Sequence, residues 1–206
     1  MRLAALCSGG KDSALAIWRA MRSGHEISEA IIMIPQRADS WMYHHPNIRL
    51  ARVFAECSDI PSLEAETSGE KEKEVGDLER VLRGLDVEGV VSGAIASTYQ
   101  KTRIDKICEK LGLEVVAPLW GEDPLRLLFE LLGEGFKVII TSVSSEGLGE
   151  EWLGRTLDRR CVEDLVRVKE KYGINLVAEG GEYETLVLDA PFFSRRIELL
   201  EADRVW

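Results

Sequence analysis

The chain has 206 residues, 45% of them hydrophobic and 30% charged, with a formal net charge of −10. This is enough to bury a core as one large or two small soluble domains, and the acidic balance argues against a broad nucleic-acid interface, which needs a basic face. No apolar run approaches the roughly 20 residues that span a bilayer, and the first one ends in polar residues at 8–13, unlike a secretory leader; a cytoplasmic protein is expected.

Strand and helix signals then alternate. Residues 3–7 are a short apolar run that reads as a buried strand, and 12–22 as the helix after it. Between them stands SGGKDS, 8–13. Two glycines let the backbone turn sharply and approach a ligand closely. Ser8, Asp12 and Ser13 add side-chain oxygens and Lys11 a cation, next to the free N–H groups of a helix start. That combination predicts an anion site. It is not a Walker loop, because the two glycines are adjacent and lie directly before Lys11. It resembles the PP-loop, SGGxDS, of ATP pyrophosphatases, which cleave ATP between the α- and β-phosphates.

Further strands are expected at 27–34, 63–67, 87–92 and 114–116, and helices at 47–57, 72–84 and 99–111. The helix at 72–84 presents Val75, Leu78, Val81, Leu82 and Leu85 along one face. Such alternation implies an α/β fold, a doubly wound parallel sheet covered on both faces. Ligands sit beyond the carboxyl ends of such strands, where strand order reverses. With a 3-2-1-4-5 order, SGGKDS and the small-residue loop SGAIAS, 92–97, flank that point. Two prolines and a glycine at 118–124 predict a boundary, giving a nucleotide domain at 1–121 and a smaller α/β or α+β domain at 122–206. In the latter a helix is expected at 124–132, a strand at 137–142, a helix at 159–172, and strands at 175–178, 185–188 and 195–201.

Two other stretches carry chemistry. The segment DSWMYHHPN, 39–47, follows the second strand and so lies on the same rim as SGGKDS. Its adjacent histidines point apart on an extended chain, so substrate contact by Trp41 or Tyr43 is the better expectation than a metal. The stretch EGGEYETLVLD, 179–189, crowds Glu179, Glu182 and Glu184 around two glycines and Tyr183. Either it is a Gly-Gly hairpin with solvated acids or it holds a cation; alternation puts Glu182 and Glu184 on one strand face and Tyr183 on the other. The four cysteines, at 7, 57, 108 and 161, form no CxxC pair and read as small buried thiols.

Taken in order, SGGKDS, MIP, DSWMYHHPN, GEKEKEVGDLERVL, SGAIASTYQKTRIDKICEKLGLEVVAPLWG, EGLGEEWLGR and EGGEYETLVLDAPFF resemble the diphthine–ammonia ligase family in its compact archaeal-type form, over essentially the whole chain. The resemblance implies a PP-loop ATP-binding domain, a small C-terminal substrate-recognition domain, and the last step of diphthamide formation on elongation factor 2. ATP and ammonium would turn the diphthine carboxylate into an amide, with Mg²⁺ expected. It implies ATP contacts from Ser8, Gly9, Gly10, Lys11, Asp12, Ser13, Met33, Ser92, Gly93 and Ala94, with Lys11, Asp12 and Ser13 catalytic. It implies substrate contacts from Tyr43, Tyr99, Lys101, Arg103, Glu179, Gly180, Gly181, Glu182, Tyr183 and Glu184. Diphthine carries a trimethylammonium group, which aromatic faces and carboxylates suit. Asp12 either caps its helix or helps to hold Mg²⁺. Lys101 and Arg103 either neutralise the substrate carboxylate or ATP phosphates, or are surface charges. Another PP-loop enzyme, such as a tRNA-modifying one, and a non-catalytic ATP- or AMP-binding module are the alternatives. No pattern fixes the oligomeric state, monomer or homodimer.

Overall fold

The computed structural model describes residues 1–36, 48–70 and 73–206. The expectations for 39–47, including Trp41, Tyr43 and the paired histidines, therefore lie outside the described residues, as does the start of the helix expected from 47.

Five parallel strands make the main sheet: β1 (Arg2–Leu6), β2 (Glu26–Pro35), β3 (Ser62–Thr67), β4 (Gly89–Val91) and β5 (Glu114–Val116). Their order is β3-β2-β1-β4-β5. Strand order therefore reverses between β1 and β4, which pair in parallel from Leu3↔Gly89 to Ala5↔Val91. The crossovers are α1 (Lys11–Arg22), α2 (Ala51–Cys57), α3 (Lys73–Arg83) and α4 (Thr98–Leu111). A 3₁₀ turn, Ile48–Leu50, precedes α2, so the chain from 48 is not one continuous helix.

Both faces of the sheet are buried, as parallel strands require. Leu3 and Ala5 of β1 and Ile32 of β2 join one core with Leu15, Ile17 and Phe54. Ala4, Ile31, Met33 and Val90 point the other way, to Leu78, Leu82, Ile104 and Ile107. The two-residue period of each strand sorts the side chains between the layers.

The rest of the chain adds α5 (Pro124–Gly133), β6 (Lys137–Val143), a 3₁₀ turn at Glu150–Trp152, α6 (Arg159–Tyr172) and β7 (Tyr183–Asp189). Asp123 caps α5 through the Arg126 N–H with Pro124 in the first turn, and Asp158 caps α6 through the Cys161 N–H. Strands β6 and β7 pair antiparallel as a separate two-stranded sheet.

This second unit shares the core of the first. Leu127, Leu128, Val138, Ile140, Leu165 and Val187 are continuous with Leu15 and Phe54. Phe193 meets Phe54 edge-on at 5.0 Å, and Phe192 stacks with Trp18 at 6.2 Å. On α1 the Arg19 guanidinium grips both Glu130 oxygens at 2.8 and 2.5 Å and donates to the Pro118 carbonyl.

Two expected strands are absent. Residues 175–178 form a turn: the Asn175 side-chain oxygen accepts the Val177 N–H and its carbonyl accepts the Ala178 N–H. A short polar side chain bonding its own backbone competes successfully with strand pairing here. Residues 195–201 have no regular structure; the segment is pinned by Ile197 N–H to the Leu188 carbonyl and by Ser194 to Cys57, and Leu200 is 94% exposed. All four cysteines are buried and unbridged, as expected.

The two loops of the switch point touch. A Cβ on Gly93 would stand 2.9 Å from the backbone carbon of Asp12 and the nitrogen of Ser13, neither of which can swing aside. Gly93→Ala should therefore cost about 1–3 kcal/mol of stability. Equilibrium urea unfolding reads it, and an unchanged midpoint would mean that the loops do not approach this closely.

Candidate functional site

The site begins where β1 ends. Gly9 has φ of 76°, and a Cβ there would lie 3.2 Å from the Ala51 backbone, so both conformation and space require glycine. The serines hold the turn together. Ser8 N–H donates to Ser13 Oγ at 3.4 Å, Gly10 N–H donates to Ser8 Oγ at 3.3 Å, and Ser13 Oγ donates to the Gly10 carbonyl at 3.1 Å. Gly10 is the cap residue of α1 and offers no side chain, so the N–H groups of the first turn are not capped from within the helix. That is the arrangement in which a helix start receives an anion.

Beside it, the loop after β4 is fixed by Ser92, whose N–H donates to the Val116 carbonyl and whose hydroxyl accepts the Ala94 N–H. Ser92 and Ala94 are buried at 4% and 6% exposure, so neither side chain stands out from the loop. Met33 is a core residue at 2% exposure, packed toward Leu78 and Leu82.

The acidic stretch closes over both loops. Glu179 accepts N–H donors from Ile95 at 2.8 Å, Ala96 at 2.7 Å and Ser97 at 2.9 Å. It clasps the 92–97 loop and complements the start of α4. Ala178, with φ of 59°, and Gly181, with φ of 82°, make the tight turn that brings it there. The Glu182 carboxylate folds back onto the N–H groups of Asn175 at 2.9 Å and Gly180 at 3.0 Å, where the sequence reading had it standing beside Glu184 on a strand face. The turn's own N–H groups need acceptors, and Glu182 supplies them.

From β7, Val187 N–H donates to the Gly9 carbonyl at 2.9 Å and Thr185 Oγ1 accepts the Lys11 N–H at 3.1 Å. Tyr183, expected at the substrate, is instead 1% exposed, its hydroxyl donating to the Leu176 carbonyl at 2.5 Å. The Lys11 side chain, expected at phosphate, is 3% exposed and donates to Asp12 Oδ2 and the Val177 carbonyl. Lys101 pairs with Asp105 at 2.6 Å and lies over Trp120, and the Arg103 guanidinium stacks on Tyr99 with 3.4 Å to the ring centroid. These cations start α4 on the same rim as the site.

Sequence reasoning missed Val177, Thr185 and Val187 as partners of the glycine loop. The one available signal was the alternation that puts Tyr183 and Thr185 on a common face.

The electrostatics separate the carboxylates. Burial raises the Asp12 carboxyl, Lys11 pulls it back, and Glu179 adds to the rise. Glu184 is pushed up to about 7, chiefly by burial, with Lys11 opposing and Asp12 and Glu182 reinforcing. No group of three or more His, Cys, Asp or Glu that could hold a metal occurs among the described residues. Among them, too, no helix is long and apolar enough to cross a membrane.

With this geometry in view, the comparisons decide the family. Residues 1–115 match the diphthamide synthase N-terminal domain and residues 123–206 its C-terminal domain. The chain belongs to the diphthamide synthase family. It is 33% identical over 225 residues to a diphthine–ammonia ligase of Schizosaccharomyces pombe, covering 100% of this chain and 37% of that one. It is 33% identical over 220 residues to the Homo sapiens diphthine–ammonia ligase, covering 96% of this chain and 82% of the relative. A crystal structure of a predicted tRNA methyltransferase subunit from Methanocaldococcus jannaschii superposes with a TM-score of 0.53 at 16% identity, over 96% of this chain and 100% of the other, a likeness of fold alone.

The Glu184 shift sets a pH dependence. The folded state keeps a proton that the unfolded chain loses at its ordinary carboxyl pKa of 4.5, so the native state binds more protons up to about pH 7. Stability therefore falls as pH rises through that window. The loss attributable to this group is at most about 3 kcal/mol, and Glu184→Gln should flatten it. Urea midpoints measured across the window test this; identical pH slopes in the two proteins would refute it.

Proposed function

We propose that this chain amidates the diphthine carboxylate of elongation factor 2, using ATP and ammonium and releasing AMP and pyrophosphate. The observation that carries the proposal is the glycine loop at 8–13, which gives α1 no side-chain cap from Gly10 and is pressed against the 92–97 loop at the strand-order reversal, in a chain matching both halves of the diphthamide synthase family. Its relatives bear the name diphthine–ammonia ligase.

The chemistry follows from the donor. A carboxylate is a poor acyl donor, because oxide would have to leave. Its oxygen attacks the α-phosphorus of ATP, the bond to the bridging oxygen of pyrophosphate breaks, and an acyl-adenylate forms. Backbone N–H groups of the 8–13 loop, with Ser8 and Ser13, stabilise charge developing on the departing pyrophosphate. Ammonium gives up a proton, the nitrogen attacks the acyl carbon, the bond to AMP breaks, and a second proton leaves with the amide formed.

Mg²⁺ binds oxygen and takes one or two carboxylates together with substrate phosphates. Asp12 fits as such a carboxylate, since its side chain is 31% exposed at the loop and Lys11 fixes one of its oxygens at 2.9 Å. The ion would neutralise phosphate charge. The backbone of 92–94 would line the nucleotide side, and Tyr99, Lys101 and Arg103 the rim at α4. The segment 179–184 in the smaller C-terminal unit, 122–206, would face the acceptor. There Glu184, ionised by the arriving cation, would suit the trimethylammonium group, while Glu179, Gly180, Gly181 and Glu182 shape the turn. The cytoplasm, where elongation factor 2 works, is the expected compartment.

The deciding experiment incubates the protein with diphthine-bearing elongation factor 2, ATP, Mg²⁺ and ammonium chloride, following AMP and the acceptor's mass. A shift from acid to amide with AMP formed supports the ligase. AMP without a mass change would reject the acceptor, and nucleotide binding without turnover would favour a regulatory module. Asp12→Asn should lower amide formation by about 10- to 100-fold. Separately, Glu184→Gln should weaken acceptor binding and spare ATP affinity in isothermal titration; equal losses of both would break the division of labour between loop and hairpin.

A further inference from the structure

The lysine of SGGKDS looks, in sequence, like the cation that receives phosphate. Its surroundings give it another task. The Lys11 side chain is 3% exposed. Its Nζ donates to the Val177 carbonyl at 2.5 Å and to Asp12 Oδ2 at 2.9 Å, and lies 5.2 Å from the centroid of the Tyr183 ring. An ammonium has three protons to place. Two here have fixed oxygen acceptors, and an aromatic face lies against the same group.

Val177 and Tyr183 are not free to follow the lysine elsewhere. Tyr183 is fully buried and its hydroxyl is held by the Leu176 carbonyl. Val177 is 1% exposed, and its N–H is held by the Asn175 side chain. Turning Nζ out toward a phosphate would leave a buried carbonyl without its donor, at a cost comparable to losing a hydrogen bond outright.

We propose that Lys11 is a positioning residue that does not contact the nucleotide and instead locks the 8–13 loop to the 177–185 segment. Resting on the nucleotide-loop reading above, this role has two outputs. The first is Asp12, whose carboxylate orientation at the loop is set by the ammonium. The second runs through Val177 to the neighbouring Ala178 turn and Glu179, which holds the N–H groups of 95–97. One buried cation thus ties the Asp12 carboxylate to the acidic hairpin, while Thr185 and Val187 hold the backbone of the 8–13 loop without it. Removing it should leave ATP affinity in place and impair the chemical step.

Two measurements test this. Brief acetylation of the whole wild-type protein with acetic anhydride, read lysine by lysine by mass spectrometry, is run without and with ATP. Lys11 should react at least about tenfold more slowly than Lys73 and Lys110 in both states, because burial protects it throughout. Rapid labelling without ATP and protection by ATP would overturn the proposal. Next, Lys11→Met should keep its ATP dissociation constant within about threefold of wild type while the rate of AMP formation falls at least about tenfold. A loss of ATP affinity of about tenfold or more, as expected for a missing charged phosphate contact, would overturn it. So would an unchanged rate. Should Lys11→Met fail to fold, the labelling result decides alone. Wild-type protein that does not bind ATP would sink the nucleotide reading, while the labelling without ATP still reports where Lys11 lies.

Discussion

A buried ammonium has to be neutralised without water, and that requirement joins the start of α1 to the far end of the chain. Lys11 meets it with the Val177 carbonyl, the Asp12 carboxylate and the Tyr183 ring. Residues separated by 166 positions are thereby fixed against one another. The neighbouring bonds reinforce the junction, with Thr185 on the Lys11 N–H and Val187 on the Gly9 carbonyl. The glycine loop is thus braced from β7 as well as from its own helix. A loop built of glycines would otherwise carry a large conformational entropy. Such bracing holds the loop backbone in one conformation.

At a net charge of −10, the start of α1 still presents backbone dipoles in place of side-chain charge. The same logic explains the crowded acids. Glu179 takes N–H groups at 95–97, and Glu182 takes those of Asn175 and Gly180. Carboxylates satisfied by backbone donors can sit near one another at tolerable cost. Glu184, on β7 opposite Ser142, keeps its proton to about pH 7. Three similar residues within six positions therefore do different things, and only their local donors distinguish them.

The aromatic pair Phe192 and Phe193 gives the second unit its hold on the first. Phe54, Trp18 and Phe136 surround it, and Arg19 with Glu130 closes the polar edge. The core runs without a break from β1 to β7. Leu119, in the stretch 118–124 that joins the two units, is fully buried in that core.

Periodicity and punctuation were enough for most of the elements. Strands at β1, β2, β3 and β5 and the helices α1, α4, α5 and α6 follow from alternating apolar patterns and caps, whereas the order 3-2-1-4-5 came from the fold type and not from the spacing. The glycine loop between β1 and α1 was legible for the same reason, since its glycines, hydroxyls and helix start are contiguous. The strands expected at 175–178 and 195–201 were not, because one competes with an Asn175 turn and the other has only a single backbone bond to β7. Nor was the placement of Lys11, Tyr183 and Glu179, whose partners lie in distant sequence. Composition and local pattern thus determined the class of fold and the residue types gathered in the glycine loop, which depend on neighbours along the chain. Tertiary structure alone decided which charges are buried to hold the frame and which stay open, because that choice depends on which donors and acceptors folding leaves beside each group once water has gone.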